Sequence, residues 1–287
     1  MSEAMHEFVV AGVDDLPGVV SMVGYRSFGL PVGVHLGVPS GTVTFILSLD
    51  GPVLGADCAA DVAGGRLDRA DVLLAGLHDT ATHVVQPARQ EGVQLALDPR
   101  AARALFGLPA AELPQGIGDA LSVDPRWRRL LEAVGETSDW GRRFALVAGE
   151  VRRRAAEERS GPRPETAHAW TLLARSRGTA GIDDVARAVA LSGRQLRAEF
   201  RREYGVGPKQ AARLMRFEHA TARLAAAVRA GAVPSLAEVA ADCGYADQSH
   251  LARDVRGYLG LAPSAWLSQE RRNIQAGGHS QRREWAT

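Results

Sequence analysis

Apolar and polar residues alternate early in the chain, and further on the apolar ones recur every three or four positions. In residues 42–49, Val43, Phe45, Leu47 and Leu49 fall on one face, the period of two that a half-buried strand needs. Asp50-Gly51 follows, a pair suited to a hairpin turn. Residues 72–77 and 92–97 are further apolar runs set between Gly, Asp and Pro. Short strands broken by turn residues predict a small antiparallel barrel or sandwich. The period changes at Asp98-Pro99. Asp98 is placed to cap a helix, Pro99 to start it and Gly107 to stop it, which predicts a helix over 99–106. Helices are also expected over 125–134 and 140–158. The charged, Pro- and Gly-rich stretch after them predicts a linker at 159–165.

Beyond the linker the apolar pattern repeats. Ile182, Val185, Ala186, Val189 and Leu191 match Leu236, Val239, Ala240, Cys243 and Tyr245, each 54 positions later. Leu196, Phe200, Gly205 and Pro208 match Leu251, Val255, Gly260 and Pro263 at an offset of 55, so one residue is inserted between the two sets. Each copy predicts a short helix, a turn and a longer helix. Ser192 and Asp247 are expected to cap the longer helices, Ser235 and Glu238 to form a capping box, and Gly205 and Gly260 to end the longer helices. Val185, Leu196 and Phe200 form the predicted core of the first copy, with Tyr204 beside them. Val239, Leu251 and Val255 form that of the second, with Leu259.

Two short helices joined by a tight turn form the unit that lays its second helix in a DNA major groove. The predicted outward residues of those second helices are Arg194, Arg197, Ala198 and Arg201 in the first copy, and Gln248, Ser249, Ala252 and Arg253 in the second. Arg pairs with guanine and Gln with adenine through two hydrogen bonds, and Ala meets a thymine methyl. An arginine on an exposed helix also serves simply to solvate it. Between the copies Ala211, Leu214, Phe217, Thr221 and Leu224 lie along one stripe of a predicted helix over 208–228. Such a helix spans about 30 Å, close to the roughly 34 Å of one DNA turn.

Charge sharpens this picture. The 287 residues carry a net +1, but residues 1–159 hold 15 Arg against 21 Asp and Glu, a balance of −6. Residues 160–287 hold 19 Arg and Lys against 12 Asp and Glu, a balance of +7. A basic half beside an acidic one fits a polyanionic partner for one part of the chain. Lys209 is the sole lysine, so arginine supplies nearly all the positive charge.

The segment Gly244-Tyr245-Ala246-Asp247-Gln248-Ser249-His250-Leu251-Ala252-Arg253, followed by Gly260-Leu261-Ala262-Pro263, resembles the AraC/XylS family of bacterial transcriptional regulators. The resemblance covers about residues 166–269. It departs from the family pattern at Leu251 and Val255, where Phe is usual, and at Asp254, where a neutral residue is frequent; the smaller side chains imply a smaller core in the second copy. The resemblance implies a seven-helix module that meets two adjacent major-groove segments. It also implies a sensor or dimerisation domain ahead of that module, often a cupin-like β-barrel. The expected organisation is therefore α+β: a sensor/dimerisation domain over 1–158, the linker, a double helix-turn-helix DNA-binding domain over 166–270, and a disordered tail over 271–287. The implied partners are double-stranded DNA, a small-molecule effector, a second copy of the chain, and RNA polymerase if the protein is an activator.

Other chemistry finds little footing. His35, His78 and His83 lack the close His pair with a nearby Glu that a metal-binding cupin shows, so no metal or cofactor is expected. Cys58, among Ala56, Ala59 and Ala60, reads as a small buried residue, and no disulfide is expected with Cys243. Nucleophile elbows, phosphate loops and dinucleotide turns are missing from the sequence, so no enzyme is expected. Neither a secretory signal nor a membrane span is expected, which points to the cytoplasm. The rival reading is a small-molecule-binding barrel or enzyme whose helical tail serves only for contacts.

Overall fold

Alternating burial shapes the first half of the chain into antiparallel strands. The computed structural model describes residues 5–29, 31–157 and 161–275. In chain order come β1 (Met5–Val10), β2 (Val19–Phe28), β3 (Gly33–Gly37), β4 (Val43–Ser48) and β5 (Val53–Ala56). The short helix α1 (Ala59–Ala63) precedes β6 (Asp68–Ala70), β7 (Val72–Ala75), β8 (Thr82–Gln86) and β9 (Arg89–Leu97). Then follow α2 (Ala102–Phe106), β10 (Gly118–Asp119), α3 (Ala120–Val123), α4 (Trp127–Gly135) and α5 (Trp140–Glu157).

The strands form two sheets, ordered β1-β2-β9-β4-β7-β10 and β3-β8-β5-β6. Among the described residues neither sheet closes on itself, so of the two expected architectures the sandwich is found and the barrel is not. Along β4, Val43, Phe45 and Leu47 are buried, and the strand ends before Leu49. The Phe45 ring lies 4.7 Å from Trp127 of α4 and 5.7 Å from Phe106 of α2, joining sheet to helices. Asp98 accepts from the Arg100 N–H and Gly107 closes α2 at φ 74°, although the first turn, Pro99–Ala101, is a 3-10 helix. The helix expected from Pro125 starts at Trp127.

Cys58 corrects an expectation: it is exposed, at the N-cap of α1, with its Sγ 3.0 Å from Asp61 Oδ2. Ala59 and Ala60 beside it are exposed as well. Alanines are too small to draw a five-residue helix into the core, so an apolar neighbourhood in sequence did not mean a buried one.

Buried arginines pin the helices. Arg154 sits 3.7 Å over the Trp127 ring and donates to the Leu105 carbonyl at 2.9 Å, Asp124 at 2.8 Å and Glu150 at 2.6 Å. Arg143 of α5 and Arg26 of β2 both bond Glu91 of β9, at 2.5 and 2.6 Å, and both guanidiniums stack on Trp140. That indole lies so close to β2 that a Cβ on Gly24 would come within 2.5 Å of it. Glycine is therefore required where α5 crosses the strand.

Contacts divide the described chain into two compact units, the first holding residues up to 161 and the second those from 162 with 38–41 and 79–81. The second unit is helical: α6 (Pro164–Arg175), α7 (Ile182–Ala188), α8 (Gly193–Tyr204), α9 (Pro208–Arg229), α10 (Leu236–Asp242), α11 (Gln248–Leu259) and α12 (Pro263–Gln275). Pro164 opens α6, so the linker expected to reach 165 ends at Arg163, and residues 158–160 lie outside the described residues. The tail expected from 271 begins as helix, since α12 runs to Gln275; residues from 276 lie outside the described residues. Trp170 of α6 packs 4.5 Å from Tyr204 and 6.0 Å from Phe200 of α8. On α9, Ala211, Leu214, Phe217, Thr221 and Leu224 are all buried. Among the described residues no helix is long and apolar enough to cross a membrane.

The carboxylates around the buried arginines make the first unit sensitive to acid. Burial raises the Glu91 carboxyl, but hydrogen bonds from Arg26 and Arg143 outweigh it and hold the group below its usual range. The same balance, with Arg126 and Arg154, lowers Asp124, and with Arg153 and Arg154 lowers Glu150. Native values below the unfolded value of about 4 mean that the unfolded chain binds more protons in acid. This stabilisation is complete above the unfolded value and is lost as pH falls through the lowered native ones. Denaturant titrations between about pH 6 and 2 should show stability falling with acid, and Glu91→Gln should make the fall shallower. An unchanged slope in that variant would contradict the assignment.

Candidate nucleic-acid interface

The two helix-turn-helix units share a frame in space as in sequence. Helices α8 and α11 each have 12 residues and begin 55 positions apart. Ser192 caps α8 with a full capping box: its Oγ accepts from the Gln195 N–H at 3.2 Å, and its own N–H donates to Gln195 Oε1 at 2.9 Å. Asp247 caps α11 by accepting from the His250 N–H at 2.7 Å. At α10 the expected box is half made: Ser235 accepts from the Glu238 N–H at 3.3 Å, with no return bond from the Glu238 side chain. Gly205 and Gly260 end the two helices in the left-handed conformation, at φ 76° and 68°.

The turns inside the units also correspond. Ala190 and Gly244, 54 positions apart, both adopt positive φ, 55° and 72°. Each bends the chain so that the second helix leaves at an angle to the first. In the second unit a Cβ on Gly244 would lie 2.7 Å from Thr179 Cγ2. The first unit performs the same turn with a residue that L-stereochemistry disfavours there.

Burial divides α8 and α11 each along its length. Leu196, Phe200, Glu203 and Tyr204 are the buried residues of α8, and Leu251, Asp254, Val255, Tyr258 and Leu259 those of α11. Val185 and Val239, on the helices that precede them, are buried too. Arg194, Arg197, Ala198 and Arg201 are exposed, as are Gln248, Ser249 and Arg253, with Ala252 half-buried. The structure thus brings the four residues named on each helix to one solvent face of that helix. Arg194, Arg197 and Arg201 make no ion pair with any described residue, and Arg253 Nε reaches only the Ser249 carbonyl of its own helix, at 3.4 Å. Their neighbour Arg202 is tied to Glu199.

Sequence reading missed Arg256. It is exposed, bears no ion pair with a described residue, and stands 55 positions after Arg201, one turn from Arg253. The repeat offset alone would have found it. The smaller core implied for the second unit is in part filled by Tyr258, whose ring lies 4.5 Å from Phe217 of α9. Among the described residues no group of three His, Cys, Asp or Glu is placed to hold a metal.

Residues 185–269 match the helix-turn-helix domain family. No curated protein matches the chain. Solved structures of ToxT from Vibrio cholerae overlay on most of it. The O395 structure does so with a TM-score of 0.46 at 11% identity, over 92% of this chain and 97% of that one. Wild-type ToxT from strain SCE256 with bound unsaturated fatty acid gives 0.48 at 12%, over 93% and 97%. ToxT bound to (E)-4-(8-methylnaphthalen-1-yl)but-3-enoic acid gives 0.48 at 12%, over 92% and 99%. Overlap this loose assigns neither residues nor ligands to the present chain.

The turn geometry makes a stability prediction. A left-handed alanine costs about 1–2 kcal/mol, of which glycine recovers all but its own entropy cost of about 0.5–1 kcal/mol. Ala190→Gly should therefore stabilise the chain by up to about 1 kcal/mol in urea unfolding, and Gly244→Ala should destabilise it. A destabilised Ala190→Gly variant would show that the turn is not held as described.

Proposed function

We propose that the chain is a sequence-specific, DNA-binding transcriptional regulator that reads duplex DNA with α8 and α11. The observation that carries this reading is the pair of equivalent 12-residue helices, each buried along one side and bare along the other. Arg194, Arg197 and Arg201 are free to form two-bond contacts to guanine or to neutralise phosphate. Gln248 fits the adenine edge, Ser249 either base type, and Ala198 and Ala252 the thymine methyl. Arg253 and Arg256 extend the second row toward the end of α11.

In this reading the protein is cytoplasmic, and the first unit is the sensor or subunit-pairing part. Support comes from the division into two units and from the acidic balance of residues 1–159. Its signal would be a small-molecule effector or a second copy of the chain, and RNA polymerase would be the partner of an activating form.

A mobility-shift titration over salt tests the reading. With about six phosphate contacts, affinity should fall by about a thousandfold between roughly 50 and 200 mM salt. Arg253→Ala should weaken binding by about 1–3 kcal/mol and relax base preference at one position. Equal loss on every sequence would reassign Arg253 to the phosphate backbone. Absence of any shift on a randomised duplex pool would overturn the DNA-binding reading and favour a helical tail that serves only for contacts.

A further inference from the structure

The linker helix grips the second reading helix through a polar interlock that the repeat does not foretell. Arg213 and Phe217 stand one turn apart on α9, and Asp254 and Tyr258 one turn apart on α11. Arg213 Nη2 donates to Asp254 Oδ1 at 2.8 Å, and its guanidinium lies 5.6 Å from the centre of the Tyr258 ring. Phe217 covers the same ring at 4.5 Å. One position back on α9, Arg216 donates to the Gly244 carbonyl at 3.3 Å and lies 5.7 Å from the Tyr245 ring, so α9 also holds the turn that leads into α11. Asp254 is 3% exposed, and Arg213 is the cation that meets it, while its Oδ2 is buried without a hydrogen bond among the described residues.

The first unit is tied differently. Glu199, 55 positions before Asp254, bonds Arg163 at 3.3 Å and also Arg202; its side chain is 12% exposed against 4% for Asp254, and those arginines are 65% and 58% exposed against 45% for Arg213. An exposed pair of that kind constrains a helix weakly. A buried carboxylate with one cationic partner tolerates few geometries, because leaving the charge unpaired is costly. Asp254 is flanked by Arg253 on the solvent side and Val255 on the buried side, so a rotation of α11 about its axis that moved the reading row would break the pair.

We propose that Asp254 is a positioning residue: through Arg213 it fixes the rotation of α11 on the linker helix and so aims Gln248, Ser249, Ala252 and Arg253. The proposal rests on the reading of α8 and α11 as DNA-contacting helices, and its test separates the two.

The full-length chain is first used to select its preferred duplex from a random pool. Binding is then measured on duplexes with one or other half of that site randomised. Asp254→Asn should lose about tenfold in affinity, with base preference flattened in the half read by α11 and kept in the half read by α8. Arg194→Ala should show the opposite pattern. Because a change at a buried site can unfold the unit, the double variant Arg213→Met with Asp254→Leu is the second arm. An apolar pair restores packing without a directional bond, so its unfolding midpoint should match the parent while preference in the α11 half stays flat. If the double variant regains that preference, or if folded Asp254→Asn keeps it within twofold, the positioning role is wrong while the DNA-binding reading stands. If the parent chain selects no sequence at all, the reading itself falls and the proposal with it.

Discussion

Two apolar residues one turn apart set how each reading helix is rotated. Leu196 and Phe200 on α8, and Leu251 and Val255 on α11, are fully buried, and burying side chains of this size stabilises by about 1.5–3 kcal/mol each. On a helix of 3.6 residues per turn, fixing such a pair inward leaves the positions two before, one after and five after the first member facing out. In α8 those positions are Arg194, Arg197 and Arg201; in α11 they are Ser249, Ala252 and Arg256. The polar row is thus a consequence of the apolar one. The caps at Ser192 and Asp247 and the left-handed glycines at 205 and 260 decide only where each helix starts and stops.

The two helices use this shared geometry for different chemistry. Helix α8 offers three arginines without an ion pair among the described residues, which suit strong, salt-sensitive attraction to a polyanion. Helix α11 offers Gln248, Ser249 and Ala252 ahead of Arg253 and Arg256, a mixture better suited to telling bases apart. The tighter mechanical tie of α11, through Arg213 and Asp254, falls on the helix whose contacts depend most on angle and distance. On the proposed reading the first helix-turn-helix supplies attraction and the second discrimination.

What the sequence made legible was local or repeated. Both reading helices, their caps and their outward rows follow from spacings of three to five residues, and the constant offset of 55 exposes the duplication. Partnerships between distant residues were not legible. Asp254 stood out as an oddity, but its partner lies 41 positions away on another helix. In the sequence Arg154 is the last of three consecutive arginines with nothing to set it apart, yet it is buried because Trp127, Asp124 and the Leu105 carbonyl surround it, the last 49 positions away. Whether short strands close into a barrel depends on sheet order, which no local pattern encodes; here the strands fall into two open sheets. Cys58 failed for the opposite reason, since its small apolar neighbours carry too little area to compel burial.

The central claim is that α8 and α11 enter one duplex together. Chemical footprinting of the selected site, with probes for major-groove purines, tests it most directly. Two protected patches about ten base pairs apart on one face of the duplex are expected, the first lost in Arg197→Ala and the second in Gln248→Ala. A single patch, or two patches on opposite faces, would contradict it.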